Sequence, residues 1–419
     1  LISFELFYQR SLPSSKWIVK KINFLISLLA TVSFLSISET VLAQNQSTNP
    51  LATEINYSDP VIPYGYGKRE LSPFEQNRIK KTITELNQSA QVALKQGNPD
   101  QAFEFWYRQL KLTRAINIET EIKALGNIGA IAWQENRGLD LRNIAARLIS
   151  LEGEITAKKS LSIDLLTQFA TAYQQVRYLD QAINIQTKIT KISRRADNYN
   201  LAVEQKNAEV LGKLYLAKFD YQNAAKTYQT LLSLTDNKNP EFPPKNNTNF
   251  YLRILVDIYD RTGQTNQSIV TKQRLIKQYT LTKKSHKIAK LEIAIARDYE
   301  TLNQIPQAIE AYNLTWNIAS QNQQLAIAED ALISLGKLHK SEGKIEQAIA
   351  TYTNLIEIQQ QSYNYYGLIN TYDTLGKIYL KSNQKIKAKQ SFQQALVLAQ
   401  TLNYKIDYFN SRIQQFDQL

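Results

Sequence analysis

Along most of the chain, apolar residues recur three and four positions apart. Leu335, Leu338 and His339 form one such stripe, and Ile345, Ala348, Ile349, Tyr352, Leu355 and Ile356 form the next. That spacing predicts amphipathic α-helices, each burying one face. The stripes are separated by short breaks at Gly263, Asn303, Gly343 and Asn383, residues that tolerate left-handed backbone at a helix C-terminus. Pro306 stands at the start of a helix, where its missing N–H costs nothing. The first helix is signalled three ways by Ser72-Pro73-Phe74-Glu75: a serine N-cap, a proline at the first helical position, and a glutamate placed to reach back to the cap amide.

The stripes repeat. Leu335-Gly336, His339, Gly343, Ala348 and Tyr352 return forty residues later as Leu375-Gly376, Tyr379, Asn383, Ala388 and Phe392, and forty residues earlier as Ile295-Ala296, Tyr299, Asn303, Ala308 and Tyr312. Leu255, Tyr259, Gly263 and Ser268 precede these, then Leu211-Gly212, Tyr215, Ala224 and Tyr228, then Phe169-Ala170, Tyr173 and Ala182. Gly97, Ala102 and Trp106 mark a first unit. A degenerate second unit carries Leu125-Gly126, Ile128 and Ala132, with Gly129 in place of the aromatic. Eight units result. Gly336 and Ala348 fall where two antiparallel helices cross most closely, and Tyr352 and Tyr312 fill the space between one unit and the next.

This pattern resembles the tetratricopeptide repeat, a helix-turn-helix unit with a large–small pair, an aromatic, a turn, then a small residue and a second aromatic. The resemblance covers residues 72–404 and departs from the family in repeat length, which is about forty here, and in lacking the usual proline near the repeat end. It implies an all-α fold: a right-handed α-α superhelix of about eight helix-turn-helix repeats. Residues 405–419, with Ile406, Phe409, Ile413 and Phe416 at helical spacing, would form a capping helix over the exposed end that a solenoid leaves. Asp236 to Asn249, with Pro240, Pro243 and Pro244, interrupts the period and is expected as a surface loop.

The segment before the repeats has another character. Lys16, Lys20 and Lys21 precede the apolar stretch Ile22 to Ile37, and Val41-Leu42-Ala43 stands before Gln44. Residues 1–43 are therefore expected as a cleaved signal peptide. The rival is a membrane anchor, which needs about 20 apolar residues, and this run is shorter and diluted by polar ones. No cysteine follows for lipid attachment and no Arg-Arg pair precedes, so the export route reads as Sec-type. The chain is expected in the periplasm or another extracytoplasmic compartment, the thylakoid lumen included. In its Asn and Gln usage and its Val-Leu-Ala-Gln junction it is similar to exported cyanobacterial proteins. Residues 44–71 lack periodicity and are expected as a flexible linker; Gly65, Gly67 and Lys68 have the wrong spacing for a phosphate loop.

Composition narrows the chemistry. With 43% apolar and 21% charged residues, the 419-residue chain can bury a core. Cysteine is absent and histidine occurs twice, which removes disulfides, thiolate sites and paired-histidine metal motifs; no metal and no cofactor is expected. No GxSxG elbow or Walker loop is present, so catalysis is not expected. His339 occupies an aromatic position and reads as core, and His286 lies among Lys283, Lys284 and Lys287 as a solvated group. The formal net charge is +13; removing Arg10, Lys16, Lys20, Lys21, Glu5 and Glu39 with the signal leaves +11. Export argues against nucleic acid as the partner and for an acidic protein segment, anionic lipid or glycan.

The family resemblance also implies a binding groove lined by first-helix residues two, five and six beyond the large residue of the pair. Those positions are Lys337, Lys340 and Ser341 in unit seven, Lys377, Leu380 and Lys381 in unit eight, Arg297, Glu300 and Thr301 in unit six, Asp257, Asp260 and Arg261 in unit five, and Lys213 in unit four. The lysines of the last two units would attract an acidic peptide; equally, they would solvate an exposed face. Asp257, Arg297 and Lys337 stand where some relatives place a chaperone-tail asparagine, so that ligand is not implied. The expected function is a non-catalytic protein-binding scaffold or assembly factor. The alternatives are a module that holds anionic lipid or glycan and a non-catalytic subunit of an enzyme complex.

Overall fold

A computed structural model describes residues 49–52, 59–157, 161–195, 201–236 and 245–417. The expected signal peptide lies outside them. The described residues form helices and no strand, and fall into two compact units, one reaching to Tyr178 and one starting at Leu179. No helix among them is long and apolar enough to cross a membrane.

The first unit holds α1 (Pro73–Lys95), α2 (Pro99–Thr113), α3 (Ile118–Gln134), α4 (Gly138–Thr156) and α5 (Ile163–Gln175). The start of α1 is closed by the anticipated capping box: the Glu75 N–H donates to Ser72 Oγ at 3.3 Å, and the Ser72 N–H donates to Glu75 Oε2 at 2.8 Å. Where Gly129 stands in place of an aromatic, Val176 fills the space; a Cβ on Gly129 would lie 2.3 Å from Val176 Cγ1.

The second unit holds α6 (Leu179–Ser193), α7 (Leu201–Ala217), α8 (Tyr221–Asp236), α9 (Lys245–Thr262), α10 (Thr265–Leu281), α11 (Ile288–Thr301), α12 (Ile305–Gln321), α13 (Leu325–Ser341), α14 (Ile345–Gln361), α15 (Tyr365–Lys381), α16 (Lys385–Thr401) and α17 (Ile406–Asp417). The turn between α13 and α14 shows how the hairpins close. Gly343 takes φ +71°, and the next N–H, of Lys344, returns to the His339 carbonyl at 2.9 Å. Asn303 and Asn383 do the same at φ 57° and 56°. Phe219 (φ 61°) and Arg177 (φ 62°) occupy this slot in other hairpins. There the returning backbone bonds, Asp220 N–H to Tyr215 O and Tyr178 N–H to Tyr173 O, both 2.9 Å, offset a strain of about 1–2 kcal/mol.

The buried frame follows the repeat. A Cβ on Gly336 would lie 2.8 Å from the Tyr352 ring, one on Gly376 would lie 2.7 Å from Phe392, and one on Gly212 would lie 3.0 Å from Tyr228. Each aromatic therefore rests on the glycine of its own helix pair. Tyr352 also joins Leu375 and Ile378 of the following pair in one apolar cluster. At the chain's end α17 buries Phe409 against α16, with Ile413 and Phe416 beside it.

Two expectations need correction. The described part of the expected linker is packed, not free. Leu51 is 1% exposed and Ile62 is buried with α1 and α2 residues. Arg114 Nη2 donates to the Leu51 carbonyl at 2.7 Å, Asn49 Nδ2 donates to the Asn143 carbonyl at 3.2 Å, and Asp59 pairs with Arg108 at 2.9 Å. Periodicity could not signal a strap of this kind, because it docks through carbonyls and single side chains without regular structure. The expected loop Asp236 to Asn249 is also shorter than its sequence suggested, since α9 already begins at Lys245; residues 237–244 lie outside the described ones.

Candidate partner-binding face

In each helix pair the residue after the small first-helix position is exposed. In the second unit these are Lys213, Asp257, Arg297, Lys337 and Lys377, placed by α7, α9, α11, α13 and α15. Adjacent first helices touch: Arg297 Nη2 on α11 lies 3.6 Å from Asp330 on α13. Thirty-three residues on from Arg297 stands Asp330; thirty-three on from Lys337 stands Asn370, which cannot neutralise it.

The structure divides the anticipated site residues by how far each is already engaged. Lys213, Lys337, Lys340 and Lys381 are exposed and make no ion pair among the described residues. Lys377 donates to Asp373 at 2.6 Å and sits 5.7 Å from the ring of Tyr408 on α17. The Asp373 hydrogen bond, partly opposed by burial, holds its pKa above the ordinary ammonium value. Leu380 is 37% exposed beside it. Arg261 pairs with Asp257 at 2.7 Å, so those two charges largely cancel. Glu300 accepts from the Tyr312 hydroxyl.

Asp260 is engaged more deeply. Lys272 on α10, 4% exposed at its side chain, donates to Asp260 at 2.9 Å and to Asp298 on α11 at 2.7 Å, while Ser268 Oγ donates to Asp260 at 2.5 Å. Burial outweighs Lys272 and holds the Asp298 carboxyl above its usual range. This pin across three helices was missed in the sequence, though a signal existed. Ser268 and Lys272 occupy the slots that hold Ala308 with Tyr312 and Ala348 with Tyr352, and Val256 takes the slot of Gly336. A valine there leaves no room for a ring at 272, whereas a lysine stem can thread past and carry its charge to two acids.

His339 is buried, with its pKa lowered by desolvation and by Lys344. His286 is exposed in the turn before α11. Among the described residues no group of three or more His, Asp and Glu could hold a metal ion.

The tetratricopeptide repeat family model matches residues 328–401. None of the curated proteins matches the chain. Among solved structures, the chain is similar to BtubC of P. vanneervenii, with 18% identity, 54% of this chain and 92% of that one covered, and a TM-score of 0.33. It is similar to a signal transduction ATPase with a tetratricopeptide repeat sensor from Pyrococcus horikoshii, with 15% identity, 82% and 52% covered, and a TM-score of 0.34. It is also similar to aspartyl phosphate phosphatase F of Bacillus subtilis, with 14% identity, 71% and 79% covered, and a TM-score of 0.33. The chain carries tetratricopeptide repeats at residues 328–401, and it repeats their helix pair along the described length.

Proposed function

We propose that the protein is a non-catalytic interaction scaffold outside the cytoplasm that holds an acidic segment of a partner protein against α13 and α15. The observation that supports this is the exposure of Lys337, Lys340 and Lys381 without ion pairs among the described residues, beside the partly engaged Lys377 and the apolar Leu380. Lysines that carry no internal partner are available to an incoming carboxylate without first breaking a bond. Each exposed pair contributes only about 0–1 kcal/mol, so binding requires several carboxylates along one segment. The charge also speeds encounter.

A pull-down from an envelope extract tests the reading, using the chain and a variant with Lys337, Lys340, Lys377 and Lys381 changed to Glu. The expected result is a discrete protein held at low and moderate salt and lost in the variant. Capture of lipid or glycan alone, abolished by moderate salt, would replace the scaffold with a charged surface module, because exposed charge is screened over about 8 Å at physiological ionic strength.

A further inference from the structure

Along one edge of the second unit the chain turns from each helix pair into the next. α10, α12, α14 and α16 end at Leu281, Gln321, Gln361 and Thr401, and the turn after each leads to the following helix. The turns adjoin. Ser285 Oγ lies 2.9 Å from Asn322 Oδ1, Gln324 Nε2 donates to the His286 carbonyl at 2.7 Å, and the rings of Tyr366 and Tyr404 meet edge to face at 5.2 Å. Each turn holds one residue in left-handed backbone: Lys283, Gln323, Tyr363 and Asn403, at φ 54°, 55°, 54° and 49°. Asparagine suits that slot and a bulky ring does not. Tyr363 takes it all the same and is 75% exposed, so packing does not offset the strain; such an outlier points to a use outside the fold. Leu281 is 69% exposed at a position where the later helices carry Gln321, Gln361 and Thr401, and Tyr365 and Tyr366 are exposed too. Lys283, Lys284, Lys287 and Lys405 stand among them, exposed and without ion pairs among the described residues. Residues 281–287, 321–325, 361–366 and 401–405 contain no Asp or Glu.

Tyrosine, leucine and lysine on the tips of adjoining turns match the chemistry of a bilayer interface. Tyrosine rings settle at headgroup level, an apolar side chain reaches the acyl boundary, and lysine meets anionic headgroups while its stem lies along apolar surface. An acidic protein segment would use the lysines but leave Leu281 and Tyr363 in water. We infer that this turn edge, from Leu281 to Lys405, rests on an anionic lipid surface. It is separate from the lysine face: Lys337 lies twelve residues along α13 from Leu325 at the edge, about 18 Å away. The two surfaces share no residue, so either can fail alone, and together they would hold a partner protein beside a membrane.

Because the chain has no cysteine, Gln323→Cys places a single environment-sensitive fluorophore in the middle of the edge, and Val397→Cys on α16 places a control away from it. The full chain is titrated with vesicles of equal parts phosphatidylglycerol and phosphatidylcholine, and with vesicles of phosphatidylcholine alone. The expected result is a saturable blue shift at 323 with the anionic vesicles, little with the neutral ones, and none at 397. Changing Lys283, Lys284 and Lys287 to Gln should weaken the response at 323 about tenfold or more. Tyr363→Ser with Tyr365→Ser, which spares the Tyr366–Tyr404 contact, should remove most of the blue shift. Changing Lys337, Lys340 and Lys381 to Gln removes the same charge elsewhere and should leave the response within about twofold of the parent, since exposed charge acts over only about 8 Å. No shift at 323, or an equal shift at 397, would overturn the inference. An equal loss from the two lysine variants would overturn it as well, because net charge alone would then account for binding.

Discussion

Before Tyr178 the residues that follow the small first-helix position are Gln91, Asn127 and Thr171; after Leu179 they are Lys213, Asp257, Arg297, Lys337 and Lys377. The first set is uncharged and the second is charged throughout. Beneath both rows the residues scarcely change: Ala90, Gly126 and Ala170 in one unit, Gly212, Ala296, Gly336 and Gly376 in the other, with Val256 under Asp257 the one large exception. The helix pair constrains the residues that touch another helix and leaves the exposed row free. Differences between the rows therefore carry the chemistry of binding, and departures within the buried frame mark places where the stack is held by other means.

That division sets an order of effects. Tyr352→Ala removes a ring that rests on Gly336 and joins its own helix pair to the next, and should cost about 3–5 kcal/mol in urea unfolding of the second unit. By contrast, Lys337→Gln with Lys340→Gln and Lys381→Gln should change stability by less than about 0.5 kcal/mol. A loss from the lysine variant rivalling that from Tyr352→Ala would mean that the exposed row also holds the stack together.

Lys272→Ala is expected to cost about 3 kcal/mol, because it leaves Asp260 and Asp298 facing each other without their shared cation. Adding Asp298→Asn should recover part of that loss. A double-mutant cycle that shows no coupling would mean the pin contributes nothing to the stack.

Leu51→Ala should destabilise the first unit by about 2–3 kcal/mol and leave the second unit's unfolding unchanged. Hydrogen exchange resolves the two. The effect should be felt at Arg114, whose bond to the Leu51 carbonyl joins the strap to the buried Arg114–Glu121–Arg147 network.

The smallest effect is a pH slope. Glu292 on α11 occupies the position of Leu252 and Leu332, which are buried, and desolvation raises its pKa to about 7. The folded chain then binds more protons than the unfolded one between about 4.3 and 7, so this group's contribution falls as pH rises through that window. Allowing for partial water access, Glu292→Gln should gain about 1 kcal/mol more at pH 7.5 than at pH 5. His339 acts in the opposite sense, losing stability as pH falls below about 6.5. The difference between the Glu292 variant and the parent isolates the glutamate.

Much of the fold was legible because a repeat states its constraints several times. Gly336 and Gly376 recur forty residues apart under Tyr352 and Phe392, so one misreading is corrected by the next unit. Features used once were not legible. The strap at Leu51 has no period, and Lys272 reads as an ordinary surface lysine until it is aligned with Tyr312 and Tyr352. Of the site, the exposure of Lys337, Lys340 and Lys381 follows from helix geometry. The engagement of Lys377 with Asp373 and Tyr408 depends on where α17 docks.

The most direct test of the lysine face is photo-crosslinking in the source cell, with a benzophenone amino acid at Leu380 on α15 and, as control, at Val397 on α16, which is 60% exposed. One discrete protein adduct is expected at 380, mapping to an acidic segment of the partner and lost when Lys337, Lys340 and Lys381 become Glu, with no such adduct at 397. Equal adducts at both positions, or an adduct at 380 that survives the charge reversal, would contradict it.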